Sequence, residues 1–183
     1  MSEIILYFSR NRNNYVNGSI QDLSVGNTEV AAKIIQSITG AELFKIEPVI
    51  PYSADYSECI EQAKNDLRRE ARPELKAYPN DLNGYDTIYL GYPNYWGTMP
   101  VAVFSILEKY DLSGKTILPF CTHEGSGMGR SEADLKRLCP GAVIQNGLAI
   151  RGAAVSGARR EIEDWIRRCL SEGIECFSHR RKK

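Results

Sequence analysis

The chain has 183 residues, and its 23 lysines and arginines balance 23 aspartates and glutamates, so its formal net charge is zero. Its content of 43% hydrophobic and 25% charged residues is typical of a globular protein, and its length suits one domain. The balanced charge argues against nucleic acid as a partner, and no apolar run approaches the roughly 20 residues that a membrane-spanning helix needs.

Strand and helix signals alternate along the chain. They begin with a continuous apolar run from Ile4 to Phe8, which predicts a central strand covered on both faces. A long polar loop, Ser9 to Gly26, is expected next. Asn27 or Thr28 then caps a helix with one apolar stripe, and Gly40 ends this helix.

Three segments in the middle of the chain have strand signals: Glu42 to Ile46, Thr87 to Leu90 and Thr116 to Cys121. Two segments have helical signals: about Asp55 to Arg69, and a segment that begins at Pro100. Proline cannot donate to a strand ladder, so Pro119 inside the last of these strands predicts a bulge or a local gap in pairing.

The last third of the chain continues the alternation. Ser131 begins a predicted capping box, which opens a short helix that ends before Pro140. Val143-Ile144 and Leu148 to Ile150 flank an interrupted last strand. Apolar residues then recur at helical spacing and predict an amphipathic helix that closes at Gly173. These residues are Ile162, Trp165, Ile166, Cys169 and Leu170.

About five strands separated by helices predict an α/β fold with a doubly wound, five-stranded parallel sheet, because parallel strands are joined by right-handed crossovers. Residues 1–173 are predicted to form a single domain, and residues 174–183 a basic C-terminal tail. We interpret its last five residues, His179 to Lys183, as a frayed, solvated terminus rather than as an anchor for nucleic acid or a membrane.

Three predicted loops between a strand and the next helix line one edge of this sheet, where ligands of α/β proteins bind. The first, Val25 to Thr28, lies at a helix N-terminus, whose unpaired N–H groups and partial positive charge suit a phosphate. Gly26 allows close approach of the backbone, and Asn27 and Thr28 add side-chain donors. By itself this Gly-Asn-Thr sequence is equally typical of an ordinary helix cap.

The second loop, Gly91 to Pro100, displays Tyr95 and Trp96 between Pro93 and Gly97. Both aromatic side chains can hardly turn inward from so tight a segment. We therefore expect one of them to stack on a flat ring, and a planar cofactor is predicted at this loop.

The third loop, Thr122 to Arg130, has glycines at alternate positions, which leave backbone amides accessible to the polar edge of a flat ring. It is not a dinucleotide-binding fingerprint, because Arg130 stands where the last glycine is required. Nor is it a nucleophile elbow around Ser126. His123 and Glu124 suit either acid–base chemistry or hydrogen bonds to the loop or the cofactor edge, and we favour the second.

The five cysteines are odd in number and lack CxxC spacing, and only two histidines are present. This pattern argues against a disulfide framework and a histidine-rich metal site, and it favours a reducing cytoplasm. The N-terminus lacks the basic flank and long apolar segment of a signal peptide. We interpret Cys121, next to the third loop, as a buried strand residue rather than a nucleophile.

Together the three loops resemble those of the flavodoxin family, and more narrowly its bacterial flavodoxin-like branch. The motifs are the phosphate loop after the first strand, Pro-x-x-Trp-Gly-x-Met-Pro at residues 93–100 and Thr-His-Glu-Gly-Ser-Gly at residues 122–127. The resemblance covers Ile4 to Leu170. It implies the strand order 2-1-3-4-5 and non-covalently bound FMN.

The resemblance also implies three groups of FMN contacts. The phosphate is expected to contact Ser9, Arg10, Val25, Gly26, Asn27 and Thr28. One side of the isoalloxazine is expected to contact Pro93, Asn94, Tyr95, Trp96 and Gly97, with Tyr95 or Trp96 stacking and the Gly97 peptide tuning the flavin N5. The pyrimidine edge is expected to contact Thr122, His123, Glu124, Gly125, Ser126 and Gly127.

Two features depart from the usual flavodoxin pattern. Flavodoxins usually have a compact phosphate loop, whereas residues Asn11 to Ser24 lie between Ser9 and Gly26 here. They are also usually acidic, whereas this chain is neutral.

The sequence thus predicts an FMN-binding, flavodoxin-like electron-transfer protein of the cytoplasm, a monomer or weak homodimer. Its partners are expected to be redox proteins or a small quinone-like acceptor, with no nucleic acid and no membrane. One alternative on the same fold is an NAD(P)H-dependent FMN quinone or nitro reductase. A third possibility is a flavin-binding interaction module without redox turnover.

Overall fold

The computed structural model describes residues 2–180, with the side chains of residues 2–171. The strands are β1 (Glu3–Tyr7), β2 (Arg12–Val16), β3 (Ser19–Leu23), β4 (Glu42–Lys45), β5 (Thr87–Pro93), β6 (Thr116–His123), β7 (Val143–Ile144) and β8 (Leu148–Arg151). The α-helices are α1 (Asn27–Thr39), α2 (Tyr56–Arg68), α3 (Val101–Leu107), α4 (Ser131–Leu138) and α5 (Arg159–Arg180), and a 3₁₀ helix spans Gly152–Gly157. Among these residues, no helix has the length and apolar character to cross a membrane.

The central sheet is parallel and has the order β4-β1-β5-β6, with β7 and β8 both pairing to β6. If β7 and β8 are counted as one interrupted strand, this is the expected order 2-1-3-4-5, and the fold prediction is confirmed. Buried side chains of α1 and α5 cover one face of the sheet, and those of α3 and α4 cover the other. Both faces are therefore dry, as parallel sheets require.

Pro119 lies in β6 opposite a gap in pairing. Toward β5 the ladder is continuous, with Pro119 beside Leu90. On the other side, β7 pairs with Thr116 and Ile117, and β8 pairs only from Phe120 onward. The expected local gap is confirmed, because the strand that would need an N–H from position 119 is interrupted there.

The segment predicted as a long polar loop contains a β-hairpin, and that prediction is wrong. Strands β2 and β3 pair antiparallel, with Arg12 opposite Leu23 and Val16 opposite Ser19. Asn17-Gly18 forms the turn, with φ angles of 49° and 89°. Asn-Gly is the sequence that two-residue hairpin turns favour, because both positions need positive φ. The hairpin lacks a continuous apolar face, so apolar periodicity gave no signal for it.

Two predicted helix caps are also wrong. Helix α1 is capped by Gly26, without a side-chain cap, and Asn27 is its first residue. Ser131 is not the cap of α4 but lies fully buried at its first position. Its hydroxyl accepts a hydrogen bond from Tyr92 at 2.9 Å and donates to the Met128 carbonyl at 2.7 Å. The Ser131 hydroxyl, which the local sequence predicted as a helix cap, is therefore engaged in hydrogen bonds within the core.

Four element boundaries differ from the predictions. Strand β5 continues to Pro93 and β6 to His123, so the strands extend into the predicted loops. Pro100 is the cap of α3 rather than its first residue. Helix α5 does not end at Gly173 but runs to Arg180, across the predicted boundary between domain and tail. Glycine inside a helix costs only about 1 kcal/mol relative to alanine, so it need not end one.

The prediction of a frayed, solvated tail at residues 179–183 falls on residues 181–183, which lie outside the described part of the chain, and on two residues whose side chains are not described.

Gly91 of β5 provides a direct test of sheet packing. It pairs with Phe120, and a Cβ at position 91 would overlap the Phe120 ring. We predict that Gly91→Ala lowers the free energy of unfolding by about 1–3 kcal/mol in urea denaturation, because an overpacked core must shift. Gly84→Ala is the matched control, since Gly84 lies in an exposed turn with open space around it. Equal stability of the two variants would contradict this packing.

Candidate functional site

A cavity of about 900 Å³ opens at the carboxyl edge of the sheet. Its volume is at the upper end of the range for ligand sites. Most of the predicted site residues line it: Ser9, Arg10, Asn27, Thr28, Pro93, Asn94, Tyr95, Trp96, Gly97, Thr122, His123, Glu124, Gly125 and Ser126. The predicted residues Val25, Gly26 and Gly127 are not part of the lining.

Further lining residues were not predicted, and they come from the hairpin, from α2 and from the 3₁₀ helix. They are Asn14, Tyr15, Tyr56, Cys59, Ile60, Ala63 and Gly152. The Asn-Gly turn was the available signal for the hairpin. The spacing of Tyr56, Ile60 and Ala63 marks one face of a helix, but it does not distinguish a face in the core from one that lines a cavity.

The N-terminus of α1 forms the polar end of the cavity. The Glu29 N–H donates to Ser9 Oγ at 3.0 Å, and the Val30 N–H donates to the Gly26 carbonyl at 3.1 Å. Among the described residues, no acceptor pairs with the N–H groups of Asn27 and Thr28. These two N–H groups, the Ser9 hydroxyl proton and the positive end of the helix dipole suit an anion.

Gly26 contributes through packing rather than through contact with a ligand. A Cβ at position 26 would overlap both the Ser9 hydroxyl and the Arg10 carbonyl. The sequence predicted that Gly26 lets the backbone approach a ligand closely. In the structure the close approach is instead to Ser9 and Arg10 of the protein itself. Val25, beside it, is 38% exposed and lies outside the cavity.

Arg10 lines the cavity, but its guanidinium N–H groups are all used within the protein. Nε, Nη1 and Nη2 together donate to the carbonyl oxygens of Asn13, Ser53, Ala54 and Asp55 and to the side-chain oxygen of Asn14. The side chain thus ties the hairpin to the segment before α2. It retains a positive charge near the polar end, but no N–H remains for a phosphate.

Tyr95 and Trp96 have different environments. The Tyr95 ring packs edge-on against Phe8 and Tyr52, with centroid separations of 6.0 Å in each case. Trp96 is 45% exposed, its φ is 54°, and its indole N–H donates to the Ile60 carbonyl at 2.8 Å. Trp96 therefore connects the second loop to α2 at the cavity rim, whereas Tyr95 packs against the aromatic side chains of Phe8 and Tyr52.

The Asn94 side chain joins the second and third loops. Its Oδ1 accepts from the Gly97 N–H at 2.9 Å, and its Nδ2 donates to the Gly127 carbonyl at 2.9 Å. The Gly97 carbonyl accepts from the Arg130 N–H at 2.7 Å. The sequence predicted this carbonyl as a partner for the flavin N5, but here it is already paired. Turning it toward a ligand would break its bond to Arg130.

His123 and Glu124 make hydrogen bonds within the protein. His123 Nδ1 accepts from the Gly125 N–H at 2.9 Å. Glu124 accepts from the Asn17 N–H at 3.1 Å and from the Ala153 N–H at 2.9 Å. Both side chains therefore hold neighbouring backbone segments in place around the cavity.

Two thiols lie at the base of the site. Cys59 lines the cavity and is 2% exposed, and Cys121 is fully buried in β6. Burial raises the pKa of the Cys59 thiol and raises that of Cys121 to about 12. Both remain protonated near neutral pH and are poor nucleophiles, in line with the interpretation of Cys121 as a buried strand residue.

Comparison with protein-family models gives a match to the model described as Flavodoxin over residues 21–169. Comparison with curated proteins gives no match. Three solved structures share the fold. A protein described as a flavoprotein, from Bacteroides uniformis ATCC 8492, is 26% identical with a TM-score of 0.71, covering 91% of this chain and 97% of its own.

The second structure is a flavoprotein from Lactobacillus acidophilus NCFM in complex with FMN. It is 20% identical with a TM-score of 0.60, covering 85% of this chain and 97% of its own. The third is a flavodoxin from Streptococcus pneumoniae TIGR4. It is 15% identical with a TM-score of 0.52, and the match covers 94% of this chain and 99% of the flavodoxin. At these identities the last two show a shared fold alone.

The fold and the carboxyl-edge cavity define a flavodoxin-like α/β protein. With the family match over residues 21–169, the chain belongs to the flavodoxin family. The cavity fits FMN: two N–H groups at the α1 N-terminus, unpaired among the described residues, suit its phosphate, and residues of the second and third loops line the rest of the cavity.

Asn94 offers a test of the loop geometry. Asn94→Ala leaves the Gly97 N–H and the Gly127 carbonyl without their partner. We predict a loss of about 1–3 kcal/mol in unfolding free energy and weaker FMN binding by fluorescence titration, because the two loops are no longer joined. Asn83→Ala, in an exposed turn, is the matched control and should change neither quantity. Unchanged FMN affinity in Asn94→Ala would show that the link is not needed for the cofactor site.

Proposed function

We propose that this chain binds FMN and transfers electrons through it. The observation that carries the proposal is that Asn27 and Thr28, whose N–H groups have no acceptor among the described residues, line the same cavity as the Trp96 loop. A phosphate site at one end and an aromatic slot at the other match the two chemically different ends of FMN. When bound, FMN supplies reversible one- and two-electron chemistry that amino-acid side chains lack.

The protein's own contribution in this proposal is binding, orientation and shielding. The α1 N-terminus and the Ser9 hydroxyl hold the phosphate through N–H and O–H donors. Trp96, held to α2 by its indole N–H, provides an aromatic face at the rim. The buried Thr28 and Thr122 hydroxyls, 2.7 Å apart, join α1 to the end of β6 beneath the cavity.

The exposure of Trp96 supports the carrier over a closed catalytic pocket. A side chain that is 45% exposed places the proposed ring slot near the surface, where electrons can pass to a docked protein or a small quinone-like acceptor. Cys59, Cys121 and Cys139 are buried free thiols, which supports a reducing compartment, and we propose that the protein lies in the cytoplasm. We propose a monomer or weak homodimer.

One observation favours the reductase as a second candidate. Tyr56, Ile60 and Ala63 of α2 line the cavity together with Trp96, so an apolar wall continues beside the proposed ring slot. Such a wall suits a flat apolar substrate next to the flavin. The two candidates differ in whether a reduced nicotinamide delivers hydride directly.

Anaerobic titration tests the carrier proposal. Dithionite is expected to bleach the visible absorbance of the FMN-loaded protein. When NADPH or NADH is the only reductant, the protein should oxidise it with a rate constant far below the roughly 1 per second at the low end of enzyme turnover. Free FMN at the same concentration is the control for uncatalysed reduction. Rapid, stoichiometric reduction of the protein by NADPH or NADH would overturn the carrier and establish the reductase.

A further inference from the structure

A second cavity, of about 340 Å³, adjoins the carboxyl-edge cavity. The two cavities share two lining residues, Ser9 and Arg10, which follow strand β1. The rest of the second lining comes from the start of β2, the end of β4, the segment between β4 and α2, and Lys76. Its volume is at the lower end of the range for small-molecule sites, and the proposed function makes no use of it.

Much of this second lining is apolar. It contains two aromatic residues, an isoleucine and two prolines: Phe8, Tyr52, Ile46, Pro48 and Pro51. The Phe8 and Tyr52 rings pack edge-on, with centroids 6.3 Å apart. Backbone hydrogen bonds on both sides of Pro48, each of 2.8 Å, join residues 47 and 49 to residues 76 and 74. The apolar surface is therefore held in place and suits the body of a small ring compound.

The same lining carries an excess of positive charge. Its cationic residues are Arg10, Arg12, Lys45 and Lys76, and among the described residues Glu47 is its one carboxylate. Lys76 lies 3.8 Å from Glu47, and Lys45 is paired at 3.1 Å with Glu29, which is outside the lining. Positive charges still outnumber negative ones, in a chain whose formal net charge is zero. Such a local imbalance attracts an anionic ligand.

Arg12 is the cation in this lining that can meet a ligand without losing a partner. The N–H groups of Arg10 are used within the protein, as described above. By contrast, the exposed Arg12 side chain makes no hydrogen bond or ion pair within the part of the chain that the structure describes. The φ of Arg12 is 66°, a conformation that residues other than glycine disfavour. Backbone strain of this kind clusters at ligand sites.

We propose that the second cavity binds a small aromatic anion, a flat ring that carries a carboxylate or a phosphate, and that Arg12 recognises its charge. A guanidinium pairs with such groups through two parallel N–H donors, and it can also stack on an aromatic ring. The inference goes beyond the proposed function and does not depend on it, because the residues that carry it lie outside the flavin cavity.

A nitrogen-15 NMR titration of the full chain with 2-naphthoate tests the site. We expect a dissociation constant below about 1 mM, with amide shifts centred on Lys45, Ile46 and Lys76. The uncharged analogue 2-naphthamide has the same ring and should bind at least about tenfold more weakly. Equal affinity for the two compounds would overturn the proposal. So would shifts confined to Ile60 and Ala63, which line the first cavity.

Two further compounds separate the parts of the ligand. Acetate carries the charge without the ring and should bind at least about tenfold more weakly than 2-naphthoate, because it cannot use the apolar surface. Acetate that binds as tightly would contradict the aromatic part of the proposal. 2-Naphthyl phosphate should shift the same three amides, and the tighter of the two aromatic anions identifies the group that Arg12 recognises.

Substitutions of Arg12 test its role. Arg12→Asn removes the charge but keeps a residue that tolerates positive φ, so the preference for 2-naphthoate over 2-naphthamide should fall by about tenfold. Arg12→Lys keeps the charge and should retain most of this preference. Arg167→Gln is the matched control, because Arg167 is an exposed α5 residue outside the cavity. An unchanged preference in Arg12→Asn, or an equal loss in Arg167→Gln, would overturn the role of Arg12.

Repeating the titration with saturating FMN separates the two cavities. We expect 2-naphthoate to shift the same amides, with a dissociation constant within about threefold of its value without FMN. Loss of binding would mean that 2-naphthoate occupies the first cavity, and it would overturn the proposal. If FMN itself does not bind, the proposed function fails, while the shifts at Lys45, Ile46 and Lys76 still decide whether the second site exists.

Discussion

The Asn94 side chain accepts the Gly97 N–H and donates to the Gly127 carbonyl, so one amide group sets the spacing of two loops that follow neighbouring strands. Its backbone N–H also donates to the Thr122 carbonyl, which extends the β5–β6 pairing past Pro93. Together with the bond from the Arg130 N–H to the Gly97 carbonyl, these contacts fix the relative position of the two loops that we propose hold the flavin ring. Because these loops are already held in place, a ligand that binds between them does not have to pay the entropy cost of ordering them.

The wall formed by the hairpin is held by a separate set of polar contacts. Arg10 ties the hairpin to the segment before α2, and Glu124 ties the hairpin turn to the end of β6. Glu124 belongs to the third loop, so it connects the hairpin wall to the loops that Asn94 joins. The cavity is thus enclosed by polar contacts between segments far apart in sequence, while the sheet beneath contributes the dry core.

The sequence was sufficient for the order and type of the main elements, because each buried strand and helix carries an apolar pattern of its own period. Pro119 even located the gap between β7 and β8. The hairpin was missed because its exposed strands have no such pattern, although Asn17-Gly18 was a usable turn signal. Most of the predicted site residues line one cavity because carboxyl ends of parallel strands share an edge.

What the sequence could not predict is how polar groups are shared over long distances. The sequence predicted that the Arg10 guanidinium contacts a phosphate. In the structure it donates hydrogen bonds to carbonyl groups more than 40 residues away in the chain. Ser131 matched a capping box, yet its hydroxyl pairs with Tyr92. The Gly97 carbonyl is paired by Arg130, 33 residues later in the chain. Such pairings depend on tertiary geometry, which local patterns do not contain.

The most direct test of the central claim, that FMN lies with its phosphate on α1 and its ring at the second loop, is a nitrogen-15 NMR titration of the flavin-free chain. FMN is expected to shift the Asn27 and Thr28 amides and the Trp96 indole N–H. Riboflavin, which lacks the phosphate, should shift the indole but leave the two amides near their free positions. Amide shifts centred on Gly40 and Gly84, at the amino edge of the sheet, with none at Asn27 or Thr28, would contradict the account.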